Sequence, residues 1–162
     1  MCSKVCIPKL RNHQVCRLFI GGHPYVSANP EFSIKMIDTS VIAVEDKHLQ
    51  NTGNSRGFGE WQIVAEILVC CDKNMRQVRV DRGQTIYAVR IISTYVMFYK
   101  AVILAPYFAE LGKGLPQKES VVILRWPGKN IPEAGLNIAE PKGRREVLEV
   151  LIRIRQHLVS GN

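Results

Sequence analysis

The sequence predicts an α/β fold, a central mixed β-sheet flanked by helices. Three observations carry this. Runs rich in Val, Ile, Tyr and Phe recur at Val41–Val44, Gln84–Ile92 and Tyr95–Ile103. A helical stretch, Glu60–Asn74, separates the first run from the other two. A C-terminal amphipathic helix, Arg144–Leu158, follows them. The order is strand, hairpin, helix, two strands and a terminal helix, in one domain.

Each element has its own signal. Residues 1–14 are mixed and polar and read as an N-terminal arm; residues 15–162 read as the domain. Val15–Gly22 is a strand stopped by two glycines. Glu31–Asp38 alternates, with Phe32, Ile34 and Met36 on one side and Ser33 and Lys35 on the other. Asp38-Thr39-Ser40 is a turn signal, so residues 31–47 form a β-hairpin. Asn51–Gly59 is a polar loop. In Glu60–Asn74, Ile63, Ile67 and Cys70 line one helical stripe, and Asn74 is the expected stop. Pro106–Leu111 fits a short helix, and Ser120–Pro127 an extended piece ended by proline. Lys129–Gly143 reads as irregular. In the last helix Val147, Leu151, Ile154 and Leu158 are the expected core face.

Composition bounds the function. The 162 residues are 46% hydrophobic and 22% charged, ordinary for a globular domain. The formal charge of +8 raises the odds of a polyanionic partner, nucleic acid or an acidic membrane surface. The five cysteines are Cys2, Cys6, Cys16, Cys70 and Cys71. An odd count without a signal-peptide pattern fits reduced thiols and an intracellular, nuclear or cytoplasmic, location. Cys2 and Cys6 have no second close pair to complete a zinc site. No apolar run approaches the roughly 18 residues of a membrane span.

The informative stretch is Ser40–Gln50, where four apolar residues, Val41 to Val44, run straight into Glu45, Asp46 and Lys47. Along a strand, residues two apart share a face, so Glu45 and Lys47 project together and Asp46 points away. Glu31, preceded by Pro30, opens the other strand of the hairpin, which brings Glu31 near the Glu45 end. Asp38 is the alternative acid, but it falls in the hairpin turn. Two carboxylates and an ammonium at one sheet end are equipment for holding Mg²⁺ (or Mn²⁺), which takes one or two carboxylates and keeps several waters.

The series Pro30-Glu31, then Glu45-Asp46-Lys47, then a helix with Gln62 near its start resembles the motif of the PD-(D/E)XK nucleases, the restriction-endonuclease-like superfamily. Gln84–Ile103, with Phe98-Tyr99-Lys100 near its end, is similar to the strand pair of uncharacterised fungal members, and the resemblance covers about residues 15–158. It implies a restriction-endonuclease-like core and metal-dependent hydrolysis of phosphodiester bonds, with nucleic acid, DNA before RNA, as partner and no membrane; a homodimer stays open. Glu45 would ligate the metal and Lys47 would be the catalytic lysine. Asp46, at the variable position, would offer its backbone carbonyl to the metal. Gln62 would orient the lysine or touch the phosphate, and Glu66 would support from behind. Glu31 stands where the family usually has aspartate.

The plainer readings stand beside these. Glu45 and Lys47 also fit a surface ion pair, Gln62 a polar first-turn residue and Glu66 a solvated helix position. His48, beside Lys47, is the histidine placed to reach a phosphate. Lys73, Arg76, Arg79, Arg82 and Arg90 fit either a nucleic-acid track or a solvated rim. Two further functions remain open: a nuclease-like domain that has lost catalysis and binds nucleic acid or protein, and an effector-type interaction domain.

Overall fold

The structure, a computed structural model, describes residues 9–12, 15–35, 39–46, 58–78, 83–128 and 135–160. The elements begin with β1 (Lys9–Asn12), β2 (Cys16–Ile20), β3 (His23–Ala28), β4 (Phe32–Lys35) and β5 (Thr39–Asp46). Next come α1 (Phe58–Val78), β6 (Gln84–Ile92), β7 (Tyr95–Ile103) and α2 (Ala105–Leu111). Last are β8 (Ile123–Trp126), β9 (Leu136–Asn137) and α3 (Pro141–Ser160).

Among the described residues, seven strands form one mixed sheet in the order β1-β4-β5-β6-β7-β8, with β9 added beside β7. Its pairings are antiparallel except β5–β6, which is parallel. A parallel step needs a long crossover, and α1 lies in that connection. Cys71 Sγ lies 3.8 Å from Gln84 Oε1 at the start of β6. The C-terminal half of α1 is thus at the end of the sheet where β6 begins, and its N-terminus at the end where β5 stops.

Helices cover both faces. Ile63, Ile67, Cys70 and Cys71 of α1 pack with Ile86, Ala88 and Ile92 of β6 and Met97, Tyr99, Ala101 and Ile103 of β7. Ile154 and Leu158 of α3 pack on the other face with Val89, Val96, Phe98 and Leu136. Alternation along each strand sorts side chains between the two cores. A sheet covered twice selects near-continuous apolar strands, which explains the runs in β6 and β7. Each fully buried Ile, such as Ile63 or Ile67, contributes about 1.5–3 kcal/mol.

A second, two-stranded sheet, β2–β3, packs on α1 and adds Cys16 and Leu18 to its core, with Ile20, Val26 and Ala28 behind them. The strands join at Gly21 and Gly22, whose φ of 56° and 82° suit residues without a Cβ.

Several boundaries differ from the sequence reading. Part of the expected arm, Lys9–Asn12, is a strand: it covers the edge that β4 would otherwise leave unpaired. β3 escaped the reading because Pro24 and its neighbours look like loop; the register shifts between Leu18 and Phe19, and a bulge tolerates proline. α1 runs past Asn74, which is buried inside it, because Met75 packs on the core and Arg76 pairs with Asp72 one turn back at 2.9 Å. α3 starts at Pro141, which needs no hydrogen-bond acceptor in a first turn. Val147 flanks the core as expected, but Leu151 of the expected core face is 40% exposed and Val150 packs in its place. Gly143 sets this rotation, since a Cβ there would collide with the Asn137 backbone of β9. β9 itself lies inside the stretch read as irregular, held by two rungs to Tyr95 and Val96.

Candidate functional site

β5 carries the Glu45-Asp46 end. Its ladder with β6 sets Val44 beside Arg90, Glu45 beside Ile91 and Asp46 beside Ile92, at the end of the sheet where β6 turns into β7. Lys47 and His48, immediately beyond, lie outside the described residues, as do Asp38, Arg79 and Arg82. The β4–β5 ladder pairs Phe32 with Ala43. Continued by one residue it sets Glu31 opposite Val44, and by two Pro30 opposite Glu45. Positions 31 and 45 therefore stand on adjacent rungs near the C-terminal end of β5, and alternation assigns adjacent rungs to opposite faces of the sheet, unlike the shared site expected from the hairpin. Glu31 is half-buried and follows the fully buried Pro30.

α1 opens at this same end. Gln62 is exposed and donates through Nε2 to Glu66 Oε1 at 3.1 Å, one turn along the helix. Glu66 is 4% exposed. Trp61, beside Gln62, is 72% exposed. Helix periodicity explains the split: Ile63, Glu66, Ile67 and Cys70 turn inward, and Trp61 and Gln62 turn to solvent.

Beneath these turns lies a polar cluster that the sequence reading missed. Arg90, placed there in a surface track, is 6% exposed on the α1 face of β6. It hydrogen-bonds the buried Tyr99 hydroxyl. Arg125 of β8 forms an ion pair with Glu60 and donates to the Gly128 carbonyl at 2.7 Å. Burial, then the Glu60 charge, pushes the Tyr99 hydroxyl upward; Arg90 and Arg125 oppose both. The available signal was an arginine inside an apolar strand. A cation there has to be paired, because isolated charge is expensive to bury.

Lys73 and Arg76 sit on the other half of α1, roughly 16–21 Å along the axis from Gln62 at about 1.5 Å per residue. Lys73 Nζ donates to the Val15 carbonyl at 2.6 Å. Arg76 donates to the Arg17 carbonyl at 2.6 Å and lies over the Phe19 ring at 4.1 Å. Asp72 accepts from Arg76 and from the Phe19 amide at 3.3 Å. Burial raises its carboxyl above the usual range, with Arg76 pulling the other way. These residues clamp β2 onto α1, and Val15, Arg17, Phe19, Lys73 and Arg76 line a cleft of about 440 Å³.

Next to this cleft two thiols meet: Cys70 Sγ lies 3.6 Å from Cys16 Sγ. The hydrogen bond from Cys70, helped by Lys73 and Arg76 and opposed by burial, lowers the Cys16 thiol to about 7. The same contact, and burial, push Cys70 up. Burial and Asp72 push Cys71 up to about 12. Among the described residues no three His, Cys, Asp or Glu side chains gather as a metal-ligand set. No described helix is long and apolar enough to cross a membrane.

Comparison with protein-family models, with curated proteins and with solved structures gives no match. The functional reading therefore rests on the residues themselves.

Proposed function

We propose that the chain is a metal-dependent nuclease with a restriction-endonuclease-like core, hydrolysing phosphodiester bonds of nucleic acid, DNA before RNA. One observation carries the reading. The strand that ends in Glu45-Asp46 leads through a helix bearing Gln62 in its first turns to a parallel partner strand, so acids and glutamine stand at one end of the sheet. The +8 charge suits a polyanionic substrate. Exposed Trp61 offers an aromatic plane beside Gln62 for an unpaired base.

The donor chemistry fits a hard cation: Glu31, Glu45 and Asp46 offer only oxygen, which Mg²⁺ and Mn²⁺ take. When bound, such an ion polarises a phosphoryl oxygen and acidifies a water. The chain's own residues do the rest. Lys47 neutralises charge developing on the phosphate. Gln62, held by Glu66, orients the lysine or a phosphate oxygen.

A second reading, a nuclease-like domain that binds nucleic acid without cutting it, is favoured by the rung offset between Glu31 and Glu45 and by the longer glutamate in place of aspartate. Nicking of supercoiled plasmid and cleavage of single-stranded oligonucleotides, with Mg²⁺, Mn²⁺ or chelator, separate the two. Metal-dependent cuts support the nuclease. Salt-dependent binding without cuts supports the binding module.

A further inference from the structure

We propose that Cys16 and Cys70 form an oxidisable dithiol site whose disulfide fastens the β2–β3 hairpin to α1. The inference stands apart from the nuclease reading and uses residues at the other half of the helix.

The geometry is specific. The two sulfurs lie 3.6 Å apart although 54 residues separate them in sequence. Both residues are buried in one core, Cys16 at 3% and Cys70 at 5% exposure. A disulfide needs its sulfurs at about 2.0 Å. Closing the gap asks for a shift of under about 2 Å shared by two side chains, one on a short hairpin. Cys71, next in sequence, faces Gln84 instead and is no partner.

The chemistry distinguishes the two sulfurs. Cys16 is the acceptor of the Cys70 hydrogen bond and has the Lys73 and Arg76 charges beside it, so it is the sulfur that ionises first. Its chain neighbours Val15 and Arg17 line the cleft of about 440 Å³ while Cys16 itself faces the core, so the oxidant has to be one as small as hydrogen peroxide, admitted by local opening of the hairpin. The Cys16 thiolate attacks one peroxide oxygen. An S–O bond forms, the O–O bond breaks, and the departing hydroxide leaves as water with the proton Cys16 gave up. The Cys70 thiol then attacks the Cys16 sulfur. The S–S bond forms, the S–O bond breaks, and the second hydroxide leaves as water with the Cys70 proton. Two electrons pass from the sulfurs to the peroxide.

The consequence follows from the fold. In the thiol state the hairpin is held by the Lys73, Arg76 and Asp72 hydrogen bonds and by packing. In the disulfide state it cannot leave the helix.

The test treats the full chain with graded hydrogen peroxide, alkylates remaining thiols after denaturation, and maps the digest by mass spectrometry. The expected product joins the Cys16 and Cys70 peptides, lighter by about 2 Da than the two thiol peptides together and reversed by dithiothreitol. Cys71 stays alkylatable, and Cys71→Ala keeps the cross-link. Hydrogen exchange over residues 16–28 slows at least about fivefold in the oxidised protein. Pairing of either cysteine with Cys71, advance of Cys16 to sulfinic acid with Cys70 still free, or unchanged exchange in the hairpin overturns the proposal. The mapping on unmutated protein stands even where a cysteine variant fails to fold.

Discussion

Arg90 of β6 hydrogen-bonds the hydroxyl of Tyr99 on β7, with both side chains buried beneath α1. A guanidinium in that position is structural. Replacing it by Met keeps the length and removes the charge, leaving the tyrosine hydroxyl without it. Arg90→Met is expected to cost about 2–3 kcal/mol and Tyr99→Phe about 1–2 kcal/mol, read by urea denaturation. A phosphate-binding Arg90 would give the opposite pattern, weaker nucleic-acid binding at unchanged stability.

The same contrast applies to Lys73 and Arg76, whose hydrogen bonds go to β2 carbonyls. Arg76→Ala removes a half-exposed ion pair, a stacking contact and a backbone hydrogen bond, together about 1–2 kcal/mol. Amide exchange across residues 16–28 rises in this variant while that of β6 and β7 stays slow. The slope of log affinity against log salt does not change. A drop of about one unit per removed cation would instead mark phosphate contacts.

What could be read from the sequence follows from where packing is repetitive. β6 and β7 lie between two helical layers, so their apolar runs gave the right bounds. α1 was legible through Ile63, Ile67 and Cys70. β1, β3 and β9 were not, because short strands join a sheet through backbone hydrogen bonds that leave little pattern in the side chains. The choice of Val150 over Leu151 depends on how Gly143 rotates α3 against Asn137, which periodicity alone does not fix. At the site, the acid end of β5 and the Gln62 turn were visible locally. The tasks of Arg90, Lys73 and Arg76 were not, since each depends on a strand distant in sequence.

Cys16 gives stability a pH dependence with a definite sign. Its folded pKa, about 7, lies below the unfolded value of 9.0. The stabilisation is therefore fully present above pH 9 and is lost as pH falls through 7. Cys70 and Cys71 are raised, so they take stability away as pH climbs beyond 9. Denaturation midpoints are expected to rise from pH 7 to 9 and then decline. In Cys70→Ala the main cause of the low Cys16 pKa is gone, and the thiolate absorbance of Cys16 moves to higher pH.

Trp61 tests contact with unpaired bases. It is 72% exposed and contributes little to the core. Trp61→Ala is expected to leave stability within about 0.5 kcal/mol. Its binding to single-stranded oligonucleotides weakens by about 1–3 kcal/mol, read by fluorescence titration at fixed salt. Equal affinity in wild type and variant would remove Trp61 from the site.

On the proposed nuclease reading, cleavage separates the roles of the acids. There Lys47→Ala would remove the cation that offsets phosphate charge, and a lost charge-stabilising donor lowers rates by roughly 10²–10³. Glu45→Ala removes a hard oxygen donor and is expected to lower cleavage at least as far, with partial recovery at high Mn²⁺. Glu31→Ala distinguishes the two arrangements the ladder allows. If Glu31 ligates from the adjacent rung, its loss matches that of Glu45. If Glu45 and Asp46 suffice with water, the Glu31 variant keeps most of its rate. Substitutions at a polar strand end cost little stability, so the three variants should melt near wild type. Single-turnover plasmid nicking, with chelator as blank, reads all of this in one series. Cleavage that persists in both Lys47→Ala and Glu45→Ala would place the activity elsewhere or in a contaminant.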